Sequence, residues 1–106
     1  MAKIRAIIKR PDEKYGHMTS ISARMGNLQN IVGGMIETIE VDDIVILCNE
    51  EGKLLGLPEN IPSPVDEDDM IVGTIIICSY NDEHDDFGGI KWDFAKWKKY
   101  LDGIRK

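Results

Sequence analysis

The sequence predicts an α+β domain: a mixed, mainly antiparallel sheet of four to five strands with two helices, in the order β-α-β-β-β-β-α. Three observations predict it. Short apolar runs rich in isoleucine and valine recur between turn residues, as strands do. Two other stretches space their apolar residues three and four apart, the stripe of a helix with one buried face. The chain of 106 residues is near the commonest size of one domain and long enough to close one core. The reading is therefore a single domain over residues 1–106.

The elements follow in order. In "KIRAIIKRP", Ile4, Ala6 and Ile8 alternate with Lys3, Arg5 and Ile7, which predicts a strand closed by Pro11. "DEKYGH" reads as a polar loop. Ile21, Met25, Leu28 and Val32 then lie 4, 3 and 4 apart, which predicts a helix, with Ser20 or Ser22 as N-cap and Gly33 as left-handed C-cap. Gly26 weakens that helix by about 1 kcal/mol relative to alanine.

"MIETIEV" and "DDIVILC" read as two strands joined at a tight Asp42-Asp43 turn, the second a short continuous apolar run and so a candidate central strand. If the first strand and "MIETIEV" share a sheet, the helix between them predicts a parallel pair by a right-handed crossover. "NEEG" is a second turn, with Gly52 supplying positive φ and Asn49 bonding to the backbone beyond it. "KLLGL" is expected to pair back as a short strand.

"PENIPSPVDEDD" is an exposed acidic loop near residues 59–69. "MIVGTIIICSY" is the strongest strand signal: five isoleucine and valine residues leave both faces apolar, so it belongs at the centre of the sheet. Gly73 within it marks a bulge or a close backbone approach. "NDEHDDFGG" is a second acidic loop near residues 81–89. Phe94, Trp97, Leu101 and Ile104 define the last helix near residues 93–104, capped by Asp93, with lysines in its later turns. Both helices are expected to cover one face of the sheet.

Charge is layered along the chain. Residues 1–36 carry six basic and two acidic side chains, residues 37–89 one basic and fifteen acidic, and residues 90–106 six basic and two acidic. The acidic middle argues against direct nucleic-acid binding, which Lys and Arg drive. No apolar run reaches the roughly 20 residues that span a bilayer, and no signal peptide is read at the N-terminus. The expected location is the cytoplasm. Cys48 and Cys78 have no partners at ligand spacing, so they read as reduced, buried residues.

The blocks "LQNIVGGMIETIEV", "ILCNEEGKLLGLPEN" and "MIVGTIII" resemble the family known as domain of unknown function 3846. The resemblance rests on Leu28, Gln29, Ile31 to Gly34, Ile36, Glu37, Cys48 to Gly52, Gly56 to Pro58, Asn60 and Ile71 to Thr74. It covers roughly the middle half of the chain, leaving the first 20 residues and the "YNDEHDD…KKYL" tail outside it. It implies a compact cytoplasmic domain of bacteria, phages and other mobile elements, and no reaction. By association it implies inhibition or modulation of a host or defence protein.

Candidate site residues fall into two sets. Asn49, Glu50, Gly56 and Asn60 are the polar and small residues of a small-ligand pocket for a nucleotide-like molecule, against the plainer reading that both segments are turns. Asp66, Glu67, Asp68, Asp69, Asp82, Glu83, Asp85 and Asp86 form two acidic loops suited to a protein partner, with Trp92 as an exposed anchor, against the plainer reading of solvated surface. "NDEHDD" offers hard oxygen ligands and His84 but misses the calcium-loop pattern, so no metal and no cofactor is expected. "IVGG" follows its helix rather than preceding it, which excludes a phosphate cradle. His17 and His84 have no paired nucleophile, so no catalytic residue is assigned and the reading leans away from an enzyme. A non-enzymatic protein-interaction module leads; a small-ligand module and an enzyme of unrecognised type are the alternatives.

Overall fold

A computed structural model describes residues 3–83 and 85–105. His84 lies outside the described residues. The elements are β1 (Lys3–Lys9), β2 (His17–Ser22), α1 (Met25–Val32), β3 (Ile36–Val41), β4 (Ile44–Asn49), β5 (Glu59–Pro62), β6 (Met70–Val72), β7 (Ile75–Asn81), β8 (Asp86–Gly88) and α2 (Phe94–Ile104).

The main sheet has six strands: β2-β1-β7-β4-β3 in that order, with β8 paired to the end of β7. Every pairing in it is antiparallel. The two most apolar runs, β4 and β7, lie side by side in the middle with Val45 opposite Cys78 and Ile46 opposite Ile77. All six residues of β4 are buried, as are Ile75 to Ser79 of β7, because neither face of these strands meets water. The fold class is α+β, and the sheet is larger than the sequence predicts.

Alternation splits the core into two layers. Ile7, Ile44, Ile46, Cys48, Ile75 and Ile77 pack against Trp97 and Leu101 of α2 and against Ile61 and Ile71 of the small β5–β6 sheet. Ala6, Val45, Leu47, Ile76 and Cys78 pack against Leu28 and Val32 of α1. The helices therefore cover opposite faces, not one. Both faces of the central strands are apolar, and each face demands its own cover.

Several local expectations are corrected. β1 and β3 are separated by β7 and β4 and run antiparallel to each other, so there is no parallel crossover pair. β2 was hidden in the sequence because it is an edge strand whose His17, Thr19 and Ser20 face outward or lie half-exposed. Ile21 belongs to β2, opposite Ile4, and not to the helix. Helix α1 starts later, with Arg24 at its N-cap and no side-chain cap; the Ser22 hydroxyl accepts from the Arg24 N–H instead. Gly33 does take the left-handed C-cap, at φ 86°.

The Asp42-Asp43 turn closes the β3–β4 hairpin, with Asp42 itself at φ 50°. "KLLGL" does not pair as a strand. Residues 50–56 wind into consecutive turns, with Leu55 N–H donating to Glu51 O at 3.0 Å and Leu57 N–H to Gly52 O at 3.0 Å. Positive φ falls at Gly56, not Gly52. Gly52 is required for space: a Cβ there stands 2.7 Å from Val72 Cγ2. The run "MIVGTIIICSY" breaks at Gly73, whose φ of 77° turns the chain so that β6 joins β5 and only β7 enters the main sheet. Inside the predicted second acidic loop, Asp86–Gly88 pairs with Ser79–Asn81 as β8. In α2, Asp93 caps the Lys96 N–H at 2.8 Å, but the last turn carries no basic side chain.

Gly16 gives a local test. Its φ is 80°, and a Cβ there falls 2.4 Å from Ile8 O and 2.9 Å from Lys9 Cα. The backbone of β1 must shift to admit it. We expect Gly16→Ala to destabilise the domain by about 2 kcal/mol or more. Gly26→Ala, where a Cβ meets nothing in the helix α1, is expected to stabilise by up to about 1 kcal/mol. Urea unfolding of the two variants checks the opposite signs.

Candidate functional site

The two sequence-predicted asparagines are buried and hold the backbone. The Asn49 Nδ2 donates to Val32 O at 3.2 Å, and its Oδ1 accepts from Glu51 N–H at 2.8 Å. This ties the end of α1 to the turn after β4. The Asn60 Nδ2 donates to Lys9 O at 2.9 Å and to Gly73 O at 2.7 Å, and its Oδ1 accepts from Lys9 Nζ at 2.7 Å. Lys9 also donates to Arg10 O at 3.3 Å, and its side chain is fully buried. Burial, with the nearby Arg105 guanidinium, holds the Lys9 ammonium below the usual lysine range.

Asn49 lines a cleft of about 120 Å³ with Cys48, Glu50, Lys53 and Asp69, and a shallow apolar hollow of about 330 Å³ with Leu55, Leu57 and Pro58. Asn60 lines neither. Gly56 is exposed, and its Cβ direction points into open space. These four residues therefore do not converge on one pocket.

The acidic loops lie at opposite ends of the main sheet. Asp66, Glu67 and Asp68 are exposed beside Ile104 and Arg105 at the C-terminal end of α2. Asp69 is bonded to Lys53, which holds its carboxyl below the usual range and raises Lys53. Asp82, Glu83, Asp85 and Asp86 are exposed at the other end, around the β7–β8 turn. There Asp82 shares a depression of about 250 Å³ with Glu40, Asp42, Asp43 and Lys91. The hairpin acids Glu40, Asp42 and Asp43 escaped the sequence reading as site residues. The two-residue turn explained their type, and only sheet order shows them beside the second loop.

Trp92 is not an exposed anchor. It is 6 % exposed, and its ring centroid lies 5.1 Å from that of Tyr100 at a 60° tilt. Its Nε1–H is buried with no acceptor among the described residues, a condition that costs about 1–3 kcal/mol when a donor is left unpaired. The indole is one wall of a cleft of about 530 Å³, with Asp42, Asp43, Lys96, Lys99 and Tyr100 around it. Lys96 Nζ stands 4.8 Å from the Trp92 ring centroid, a cation–π contact. Burial, and next the Asp42 charge, raise the Tyr100 phenol above its usual value, so the ring is neutral at physiological pH.

The thiols offer no reactive group. Cys48 and Cys78 are free and buried. Desolvation pushes them up to about 11 and about 12, so both stay protonated at neutral pH. No set of three or more His, Cys, Asp or Glu side chains is placed to hold a metal among the described residues. No helix among them is long and apolar enough to cross a membrane.

Fold and surface together define a small α+β domain whose antiparallel sheet carries a helix on each face and polar clefts at its ends. Residues 4–104 match the family described as Domain of unknown function (DUF3846), and the chain belongs to that family. The match takes in all but the first residue of β1 and the whole of α2, well beyond the middle half on which the sequence resemblance rests. No curated protein and no solved structure shows significant similarity to the chain. The residues that carry the resemblance meet at one end of the sheet. Gly33 and Gly34 border the Asn49 amide, Gly73 N–H donates to Pro58 O at 2.8 Å, and Asn60 bonds Gly73 O.

Proposed function

We propose that the chain is a non-enzymatic binding module that engages a basic surface of a protein partner. The contact end is the one where the β3–β4 turn meets the β7–β8 loop. One observation carries this reading: sheet order gathers Glu40, Asp42, Asp43 and Asp82 around a single depression, with Glu83, Asp85 and Asp86 in the adjoining loop. Apart from the cleft lysines and Lys91, the neighbourhood is acidic, and none of these carboxylates has an ion-pair partner among the described residues. Carboxylates that line one depression act together on an approaching cation, since screening sets in only over roughly 8 Å at physiological salt. Such a field steers and selects a basic partner. The loop at Asp66, Glu67 and Asp68 is a separate surface at the far end.

The partner is read as a host or defence protein in the cytoplasm, modulated by a domain carried on mobile elements. The small-ligand reading at Asn49 and Asn60 gains no support, since both amides bond backbone groups.

The test is affinity capture from bacterial lysate with three proteins. The first is the wild type. The second carries Asp42, Asp43, Asp82, Glu83, Asp85 and Asp86 changed to Asn or Gln, and the third carries Asp66, Glu67 and Asp68 so changed. Asparagine tolerates the positive φ of position 42, so the hairpin is preserved. We expect one protein held by the wild type and the third variant, lost from the second, and released by about 0.5 M salt. Capture indifferent to all three, or lost only in the third, overturns the reading.

A further inference from the structure

We propose that the cleft between the β3–β4 turn and α2 binds a zwitterionic small molecule, a free α-amino acid with a flat apolar side chain. The walls of the cleft carry opposite charges. Asp42 and Asp43 present carboxylates from the turn, and Lys96 and Lys99 present ammonium groups from one face of α2, three residues apart. Among the described residues, neither lysine comes within ion-pair distance of either aspartate. The opposed charges line the same cleft without pairing with one another.

The lining is neutral in sum, two of each sign. An anion gains from the lysines and loses to the aspartates, and a cation does the reverse. A nucleotide phosphate is disfavoured for the same reason. An occupant with separated charges gains at both walls: its carboxylate meets Lys96 and Lys99, and its ammonium meets Asp42 and Asp43 through charge-assisted hydrogen bonds.

The remaining walls choose the side chain. Trp92 and Tyr100 supply aromatic surface, and the Lys96 contact shows that the Trp92 ring face accepts a cation. When the Lys96 ammonium turns to a ligand carboxylate, that ring face is free to pack a flat side chain. A cleft of about 530 Å³ is of the size that holds a small molecule. This inference does not rest on the protein-partner reading; amino-acid binding without protein capture, or the reverse, separates the two.

The test is titration by calorimetry, with tryptophan fluorescence alongside, using three probes: phenylalanine, N-acetylphenylalanine and phenylalanine amide. The first carries both charges, the second only the anion and the third only the cation. We expect saturable binding of phenylalanine and affinities at least about tenfold weaker for the two blocked forms. The double variant Asp42→Asn/Asp43→Asn is expected to lower phenylalanine affinity about tenfold and to erase its advantage over N-acetylphenylalanine. Lys96→Gln/Lys99→Gln is expected to lower it similarly and to erase its advantage over the amide. All four positions are exposed, so the melting midpoint reports that each variant is folded. No saturation by about 10 mM, equal binding of the blocked forms, or affinities unmoved in the folded variants overturns the proposal.

Discussion

Trp97→Ala is expected to remove about 3–5 kcal/mol of stability, the largest loss of any single truncation in the core. Trp97 is fully buried in the layer between α2 and the sheet. Its ring lies 6.3 Å from that of Tyr100, and its Nε1–H donates to Tyr15 O at 2.8 Å. Alanine therefore opens a cavity, removes an aromatic contact and leaves a carbonyl without its donor. A small domain has roughly 5–15 kcal/mol in all, so the variant retains only part of its folding free energy. Trp97→Phe keeps most of the volume and loses the N–H, and should cost about 1–2 kcal/mol. Urea unfolding measures both. A loss below about 1 kcal/mol for the alanine variant would show that α2 does not anchor this core.

Asn60→Ala is expected to cost about 3 kcal/mol or more, through the charge it leaves behind. Asn60 makes three hydrogen bonds that join the end of β1, β5 and the turn at Gly73. Without it, the buried Lys9 ammonium keeps, among the described residues, only the Arg10 carbonyl as acceptor, and the Gly73 and Lys9 carbonyls lose the donor that Asn60 supplies. Lys9→Met should cost less, because it removes the buried charge along with its needs. The pair Lys9→Met/Asn60→Leu is expected to lie closer to wild type than Asn60→Ala does. A double variant less stable than Asn60→Ala would refute this account.

The same pair fixes a pH dependence. Desolvation, then the Arg105 charge, lower the folded-state Lys9 value below the usual 10.5, against smaller opposing contributions from Glu13 and Asp12. Below the folded value the ammonium is protonated in both states and its burial penalty is fully present. Between the folded value and 10.5 the unfolded chain holds more protons, so stability rises with pH across that window. Tyr100, raised by burial, acts in the opposite sense above its usual value, so the Lys9 contribution is read as the difference between wild type and Lys9→Met. From neutral pH to about 10.5 the wild-type urea midpoint should rise relative to that of Lys9→Met. Parallel profiles would sink the idea.

Lys9 also shows why sequence reading missed parts of this molecule. In "KIRAIIKRP" it is one more charged residue at a strand end, and nothing local says that Asn60, 51 residues away, closes over it. Asn49 and Asn60 were legible as special positions, but not as structural clamps, because a turn asparagine and a ligand-contacting one have the same local pattern. Trp92 fell outside the helical stripe and read as exposed. Its burial comes from Tyr100 on the next element, which periodicity within one element does not register.

The residues alone were enough to read the α+β class, the family, the central places of β4 and β7, the Asp42-Asp43 hairpin, the left-handed cap at Gly33, the Asp93 cap and the buried cysteines. Each of these depends on residues within a few positions of one another: dihedral demands, a side chain reaching its own backbone, or a run too apolar to face water. The folded arrangement was needed to learn which face each helix covers, that β1 and β3 run antiparallel, that Gly73 divides one apolar run between two sheets, and which acids share an end. Those are outcomes of packing between distant segments. A strand apolar on both sides states that two covers are needed; which helix lies on which side is settled only when the whole sheet closes.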